Sequence, residues 1–232
     1  MQRANKYSCG LCRSCKSKGV TINSALQAAT LKAASQWLQK HAHKTHNTNS
    51  DLDLGDATIS TNPQMHKHLP PRTFGAKESK MATLMWLLFN DYAIADAIVD
   101  DFWDVARQIQ TSIAQTKTKS LNECPLYTFL QYQTFQMFRE LRGKRTITCN
   151  FTNHGECSWV NGNADEAVTR VVSLLPLANH TSFGSVFWWF VTTINQRMFL
   201  TVNYVTHAVS DEDAREHLHN SKSILLDACC QN

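Results

Sequence analysis

The sequence predicts an α/β fold: a two-layer sandwich in which a mixed sheet is covered by helices. Three observations carry this expectation. Long segments place apolar residues every three to four positions, as buried helix faces do. Short β-rich segments such as 56–62 and 146–152 are interspersed with them. Near the C-terminus a run bulky on both faces and an alternating run stand two residues apart, as in an antiparallel hairpin, and a capped helix follows.

The chain has 232 residues, of which 43% are apolar and 18% charged, enough to bury a core. A single domain is expected across 1–232, with its core at about 8–228. With 8 Gly and 5 Pro, fibrous and low-complexity classes are excluded. No apolar run reaches the roughly 18 residues of a membrane span, and the N-terminus has no signal-peptide stretch. The expectation is therefore a cytoplasmic protein without a membrane span. The net charge is only +4, and no basic stretch is interleaved with aromatics, so no nucleic-acid partner is expected.

The elements follow in order. Residues 20–40 predict a largely buried helix, with Thr21 or Asn23 as its cap and Gly19 just outside; 41–51 read as a loop. Residues 56–62 predict a short strand. Pro63, Pro70, Pro71 and Gly75 break 63–79 into a connector, and the apolar run 80–89 fits a buried strand. A second helix is expected over 96–116, with Ile98, Phe102, Val105, Ile109 and Ile113 as its inner stripe. A third, over 125–141, starts at Pro125 and is stopped by Gly143. Thr146–Thr152 predicts a strand closed by a turn at Asn153-His154-Gly155, and Val168–Leu175 another strand. Ser185–Ile194 is bulky on both faces and suits a central strand. Asn195-Gln196 turns it into Arg197–Tyr204, whose Met198, Leu200, Val202 and Tyr204 share one face. Ser210 with Asp213 predicts a capping box for a final helix, with Ala214, Leu218, Ser221, Leu225 and Ala228 inward.

Few residues suggest chemistry by themselves. Of 8 cysteines, Cys9, Cys12 and Cys15 form C-x₂-C-x₂-C. Three close thiolates with a fourth ligand such as His41 or Cys124 would suit zinc or an iron–sulfur cluster. The bacterial iron–sulfur pattern, however, wants its fourth cysteine where Gly19 stands. The plainer reading places the trio one helical turn apart as small apolar side chains, and no metal is expected. His41-Ala42-His43 and His66-Lys67-His68 read as solvated loop histidines. There is no H-E-x-x-H, G-x-S-x-G, Walker loop or G-x-G-x-x-G. His154, at a strand end, is the one candidate catalytic residue, because an imidazole there is placed to act as a general base. No partner acid or nucleophile accompanies it in the sequence.

The segments together resemble a known series. KSKGVTINSALQAATLKAASQWL resembles the helix opening the second half of condensation-domain acyltransferases, and DDFWDVARQIQTSI looks like their "FW-lAr" helix. ITCNFTNHGEC is similar to their strand and "sN-G" turn, and FVTTINQRMFLTVNYVTHAVSDEDAREHLHNSKSIL to their closing hairpin and helix. The chain thus resembles the C-terminal half of the chloramphenicol acetyltransferase-like superfamily, in particular alcohol O-acetyltransferases and phthiocerol/phthiodiolone dimycocerosyl transferases. The resemblance implies acyl transfer from an acyl-CoA or acyl-carrier thioester, as co-substrate, to an alcohol or amine. The family's general base is the second histidine of H-H-x-x-x-D, in the N-terminal half. This chain has no H-H pair, and Asn62 falls where the family's arginine stands. The resemblance therefore implies a truncated, substrate-channel-forming half that is inactive alone and exposes an apolar half-interface through which it can form homo-oligomers. The alternatives are a non-catalytic binding or scaffold protein derived from that fold, and a metal module on Cys9, Cys12 and Cys15.

Overall fold

A computed structural model of the chain describes residues 3–45, 57–61, 88–92, 100–122, 149–157, 172–176 and 185–230. Its elements are α1 (Arg3–Ser17), α2 (Ile22–Thr45), β1 (Ala57–Thr61), β2 (Leu88–Tyr92), α3 (Phe102–Asn122), β3 (Cys149–Glu156), β4 (Phe187–Ile194), β5 (Arg197–Tyr204) and α4 (Asp211–Cys230). The strands form one mixed sheet in the order β2-β1-β3-β4-β5. β1–β3 and β3–β4 are parallel, while β1–β2 and β4–β5 are antiparallel. This is the expected α/β sandwich.

The alternation of β4 sorts the two faces of the sheet. Phe187, Trp189 and Val191 point into one core with Cys149 and Phe151 of β3 and the inner residues of all four helices. Across the hairpin they pair with Tyr204, Val202 and Leu200, which pack on the same core. Phe190 and Ile194 are also buried, but they point to the opposite face and lie outside that cluster. The hairpin turns on Asn195 and Gln196, both with positive φ (50° and 62°), the left-handed pair that matches strand twist.

α2 is the centre of the helical layer, buried almost all round from Ser24 to Leu31. Its start is fixed by Thr21, whose Oγ1 accepts from the Ser24 N–H at 3.1 Å. α1 ends in a left-handed Gly19 (φ 68°), with Gly19 N–H donating to Lys16 O and Val20 N–H to Cys15 O. That pair of bonds is a Schellman closure, for which glycine has no Cβ penalty. Gln110 of α3 then ties down the link: its Oε1 accepts from Thr21 N–H at 2.6 Å and its amide donates to Gly19 O at 3.3 Å. α3 is itself capped by Asp101, which accepts from Trp103 N–H at 2.8 Å.

At α4 the expected N-cap of Ser210 is present. Asp213 N–H donates to Ser210 Oγ at 3.1 Å, and the hydroxyl donates to the Asp213 carboxylate at 2.7 Å. Ser210→Ala is expected to cost about 1 kcal/mol, read as a fall of about 2–4 °C in Tm by circular dichroism for a chain of this size. An unchanged Tm would mean that α4 is held by packing alone.

Several expectations are corrected. The first predicted helix runs on to Thr45: HAHKT continues α2, and His41 within it faces Asp213 of α4. The second runs from Phe102 to Asn122, so Asp100 and Asp101 precede it and the end lies beyond 116. Asn153-His154-Gly155 is not a terminal turn: β3 continues through it to Glu156, with a register shift against β4 between Asn153 and Glu156. Residues 172–175 of the predicted strand are irregular, with Val172 71% and Leu175 59% exposed and no strand partner among the described residues. Of the strand expected over 80–89, residues 80–87 lie outside the described residues; Leu88 opens β2, which reaches Tyr92. The connector 63–79 and the helix 125–141 lie outside the described residues, as do Asn62, Cys124, His66 and His68.

Candidate functional site

The sheet face turned away from the helices carries the candidate site. The parallel register of β3 and β4 sets Asn150 beside Trp188 and Thr152 beside Phe190, and β5 adds Asn203 and Thr201 opposite them. Trp188 Nε1–H donates to Thr152 Oγ1 at 3.1 Å. The Trp188 and Phe190 rings stack at 5.3 Å between centroids, 21° apart. His154 continues the row, its ring parallel to Phe190 at 6.0 Å and 3°. Leu174 of the irregular segment reaches the same face, its carbonyl accepting from Thr192 Oγ1 at 3.0 Å.

The bulge explains how His154 comes to sit there. Asn153 Oδ1 accepts from Gly155 N–H at 2.8 Å, and Gly155 takes a φ of 68° that only glycine adopts without strain. The Asn153 amide in turn donates to Asn23 Oδ1 at 3.2 Å, anchoring the bulge to the start of α2. Bulges re-aim side chains, and here the result is an exposed histidine with one ring face on Phe190. Partial burial of the ring lowers its pKa below the usual histidine value, so it is neutral near pH 7. A neutral imidazole can accept a proton or a hydrogen bond from a ligand on this face. No carboxylate forms an ion pair with it among the described residues.

The cysteine trio falls on α1, as the spacing suggests. Cys15 is buried at the core and Cys12 is exposed, so the two do not share one buried face. Burial pushes the Cys15 thiol up to about 12, the state of an inert core thiol. Among the described residues no three His, Cys, Asp or Glu side chains are grouped so as to hold a metal ion. His41, the other suggested ligand, is engaged elsewhere: Nδ1 meets Trp37 O at 2.8 Å, and Nε2 lies 3.4 Å from Asp213.

The sequence reading missed His217. It replaces Leu218 on the inner face of α4, where Ala214, His217, Ser221, Leu225 and Ala228 are buried. Leu218 only packs at the margin of the core. The signal was present, since His217 fits the 3–4–4–3 spacing of that stripe better than its apolar neighbour. It is 1% exposed, stacked on Phe187 at 4.1 Å, and its Nε2 accepts from Trp189 Nε1–H at 3.1 Å. Burial depresses its pKa to about 4, only partly offset by the nearby Ala33 carbonyl. Also unforeseen was the pairing of Trp188 with Thr152, which depends on a parallel register invisible in sequence.

Fold and site together define an α/β lobe whose mixed sheet carries helices on one face and an aromatic row on the other. Solved structures share this fold. The chain is similar to the epimerization domain from the third module of tyrocidine synthetase B (TM-score 0.57, 12% identity, 98% of this chain on 46% of that one). It is similar to the wax ester synthase/diacylglycerol acyltransferase from Marinobacter aquaeolei VT8 (TM-score 0.53, 9% identity, 94% on 46%). It is similar again to polyketide synthase associated protein 5 from Mycobacterium tuberculosis (TM-score 0.54, 8% identity, 98% on 50%). The chain spans about half the length of each. No protein-family profile and no curated protein matches the sequence. No helix among the described residues is long and apolar enough to cross a membrane.

Proposed function

We propose that this chain is the second half of a two-lobed acyltransferase, forming one wall of the channel in which an acyl group passes from a CoA or carrier thioester to an alcohol or amine. The observation that carries the reading is the match of nearly the whole chain to about half of each of three longer structures, one of them a wax ester synthase/diacylglycerol acyltransferase. The sheet face of Trp188, Phe190 and His154 supports it, as an aromatic wall with one exposed, neutral imidazole. The proton-accepting histidine comes from the other lobe, since the sequence holds no adjacent histidine pair.

Thiol release from acetyl-CoA and palmitoyl-CoA, each with a primary alcohol, is the direct test. The chain alone is expected to release none above the rate without protein, whereas a protein that joins it to an H-H-x-x-x-D lobe releases CoA and forms ester. Turnover by the chain alone that His154→Ala abolishes would overturn the division of labour and make His154 the base.

A further inference from the structure

The sheet ends at β5, the last strand in the order β2-β1-β3-β4-β5, and no described strand continues it. The pairing of β5 with β4 fixes what that edge offers. Val205 N–H donates to Val186 O at 3.2 Å, in the antiparallel register that sets Phe187 against Tyr204. Hydrogen-bonded and non-hydrogen-bonded pairs alternate along such a ladder, so Arg197, Phe199, Thr201 and Asn203 turn their backbone groups to β4. Met198, Leu200, Val202 and Tyr204 turn theirs outward, while their side chains pack on the core. The core thus holds the strand in place, and the N–H and C=O groups of these four residues have no strand partner among the described residues.

Natural proteins blunt open edges with proline, lysine or a bulge. β5 carries none of these. Its sequence is RMFLTVNY, its only charge is Arg197 at the hairpin end, and its register with β4 runs unbroken from Arg197 to Tyr204.

Register decides what fits this edge. When a second β5 runs antiparallel with Thr201 on the two-fold axis, Leu200 falls opposite Val202 of the second copy and Met198 opposite its Tyr204. All four outward-facing residues then sit in hydrogen-bonded pairs, about eight bonds between the chains, two from each of four pairs. On the helix side these are pairs of large apolar and aromatic side chains; on the other side Thr201 meets its own copy, a favoured cross-strand pair. Arg197 falls opposite Val205, so the one charge of the strand does not meet itself. An axis moved to Leu200 sets Tyr204 against the turn residue Gln196 and loses its pair. Head-to-tail pairing of β5 with β2 of another copy leaves two edges open and grows without limit, whereas the two-fold arrangement closes.

We propose that the free edge of β5 is a homodimer interface, joining two five-stranded sheets edge to edge, antiparallel, with Thr201 on the two-fold axis. The edge is distinct from the aromatic sheet face, and dimerisation through it does not depend on the acyltransferase reading.

Sedimentation equilibrium of the full chain is expected to give twice the mass of one chain, falling to a single chain on dilution. In the dimer the amides of Leu200 and Val202 are expected to be protected from hydrogen exchange, and the protection is lost in the dilute monomer. Thr201→Lys sets two like charges against each other across the axis and should leave a monomer that is folded by circular dichroism. Thr201→Glu should do the same alone, while an equimolar mixture of the two variants regains the dimer. Should these variants not fold, Val202→Pro deletes one outward N–H and no bond to β4, with the same loss of the dimer. A monomer at every concentration overturns the proposal, as do unprotected Leu200 and Val202 amides in a dimer. So does a dimer that Thr201→Lys leaves intact, as one built on the aromatic sheet face would be, or lysine and glutamate variants that stay monomeric when mixed.

Discussion

Between pH 6.5 and about 4 the fold is expected to lose about 3 kcal/mol of stability through His217 alone. In the unfolded chain this histidine takes its proton near pH 6.5, whereas in the folded chain burial holds it neutral until about pH 4. Across that interval the unfolded state binds the extra proton, so stability falls as pH falls. Above pH 6.5 both states are neutral there and the effect vanishes. His154 acts in the same direction, more weakly, because its residue is exposed. Urea midpoints at steps from pH 7.5 to 4.5 measure the slope. The matching variant is His217→Gln, whose side-chain oxygen can still accept from Trp189 Nε1–H but does not titrate. Subtracting its curve isolates the contribution of His217, because every other side chain is common to the two proteins. Parallel curves for the two proteins would mean that His217 is solvated or already charged in the fold.

His217 also marks the boundary of what the sequence makes legible. The patterns that predict α2, α3, β4, β5 and α4 are local, and each of those elements is found. The hairpin and the Ser210 cap are shorter-range still, and both are present with the expected partners. α1 is harder to see because its buried side chains among the described residues are Leu11, Ser14 and Cys15, one of the three polar and one a cysteine. The bulge at Asn153-His154-Gly155 reads locally as a turn, since Asn and Gly favour both. Only pairing with β4, more than thirty residues away, makes it part of a strand. The candidate site shares that problem. His154 stands out alone in the sequence, but its stacking on Phe190 and the bond from Trp188 to Thr152 arise from a parallel register between distant segments. A polar residue on a buried stripe is discounted by hydropathy, which is how Leu218 displaces His217 in a reading of α4. What rescues the histidine is an indole donor on the facing strand, and no local pattern predicts that partner.

Trp189→Ala is expected to destabilise the chain by about 4 kcal/mol, the largest effect of any single truncation argued from this structure. Trp189 is 1% exposed and is the bulkiest fully buried side chain among the described residues. It sits on β4 between Phe151 of β3 and Val202 of β5, so truncation opens a cavity that three sheet strands frame and cannot easily close. It also removes the Trp189 Nε1–H that His217 Nε2 accepts from, leaving that nitrogen buried and without its donor. Since a domain's whole stability is about 5–15 kcal/mol, the variant should unfold at low urea or fail to accumulate. Trp189→Phe separates the two causes: it restores most of the volume and leaves the lost bond, so its cost should be about 2 kcal/mol. Combining Trp189→Phe with His217→Leu should cost less than the sum of the two, because the second change removes the acceptor the first left unpaired. Strict additivity in urea denaturation would show that the indole–imidazole bond contributes nothing and that Trp189 acts through volume alone.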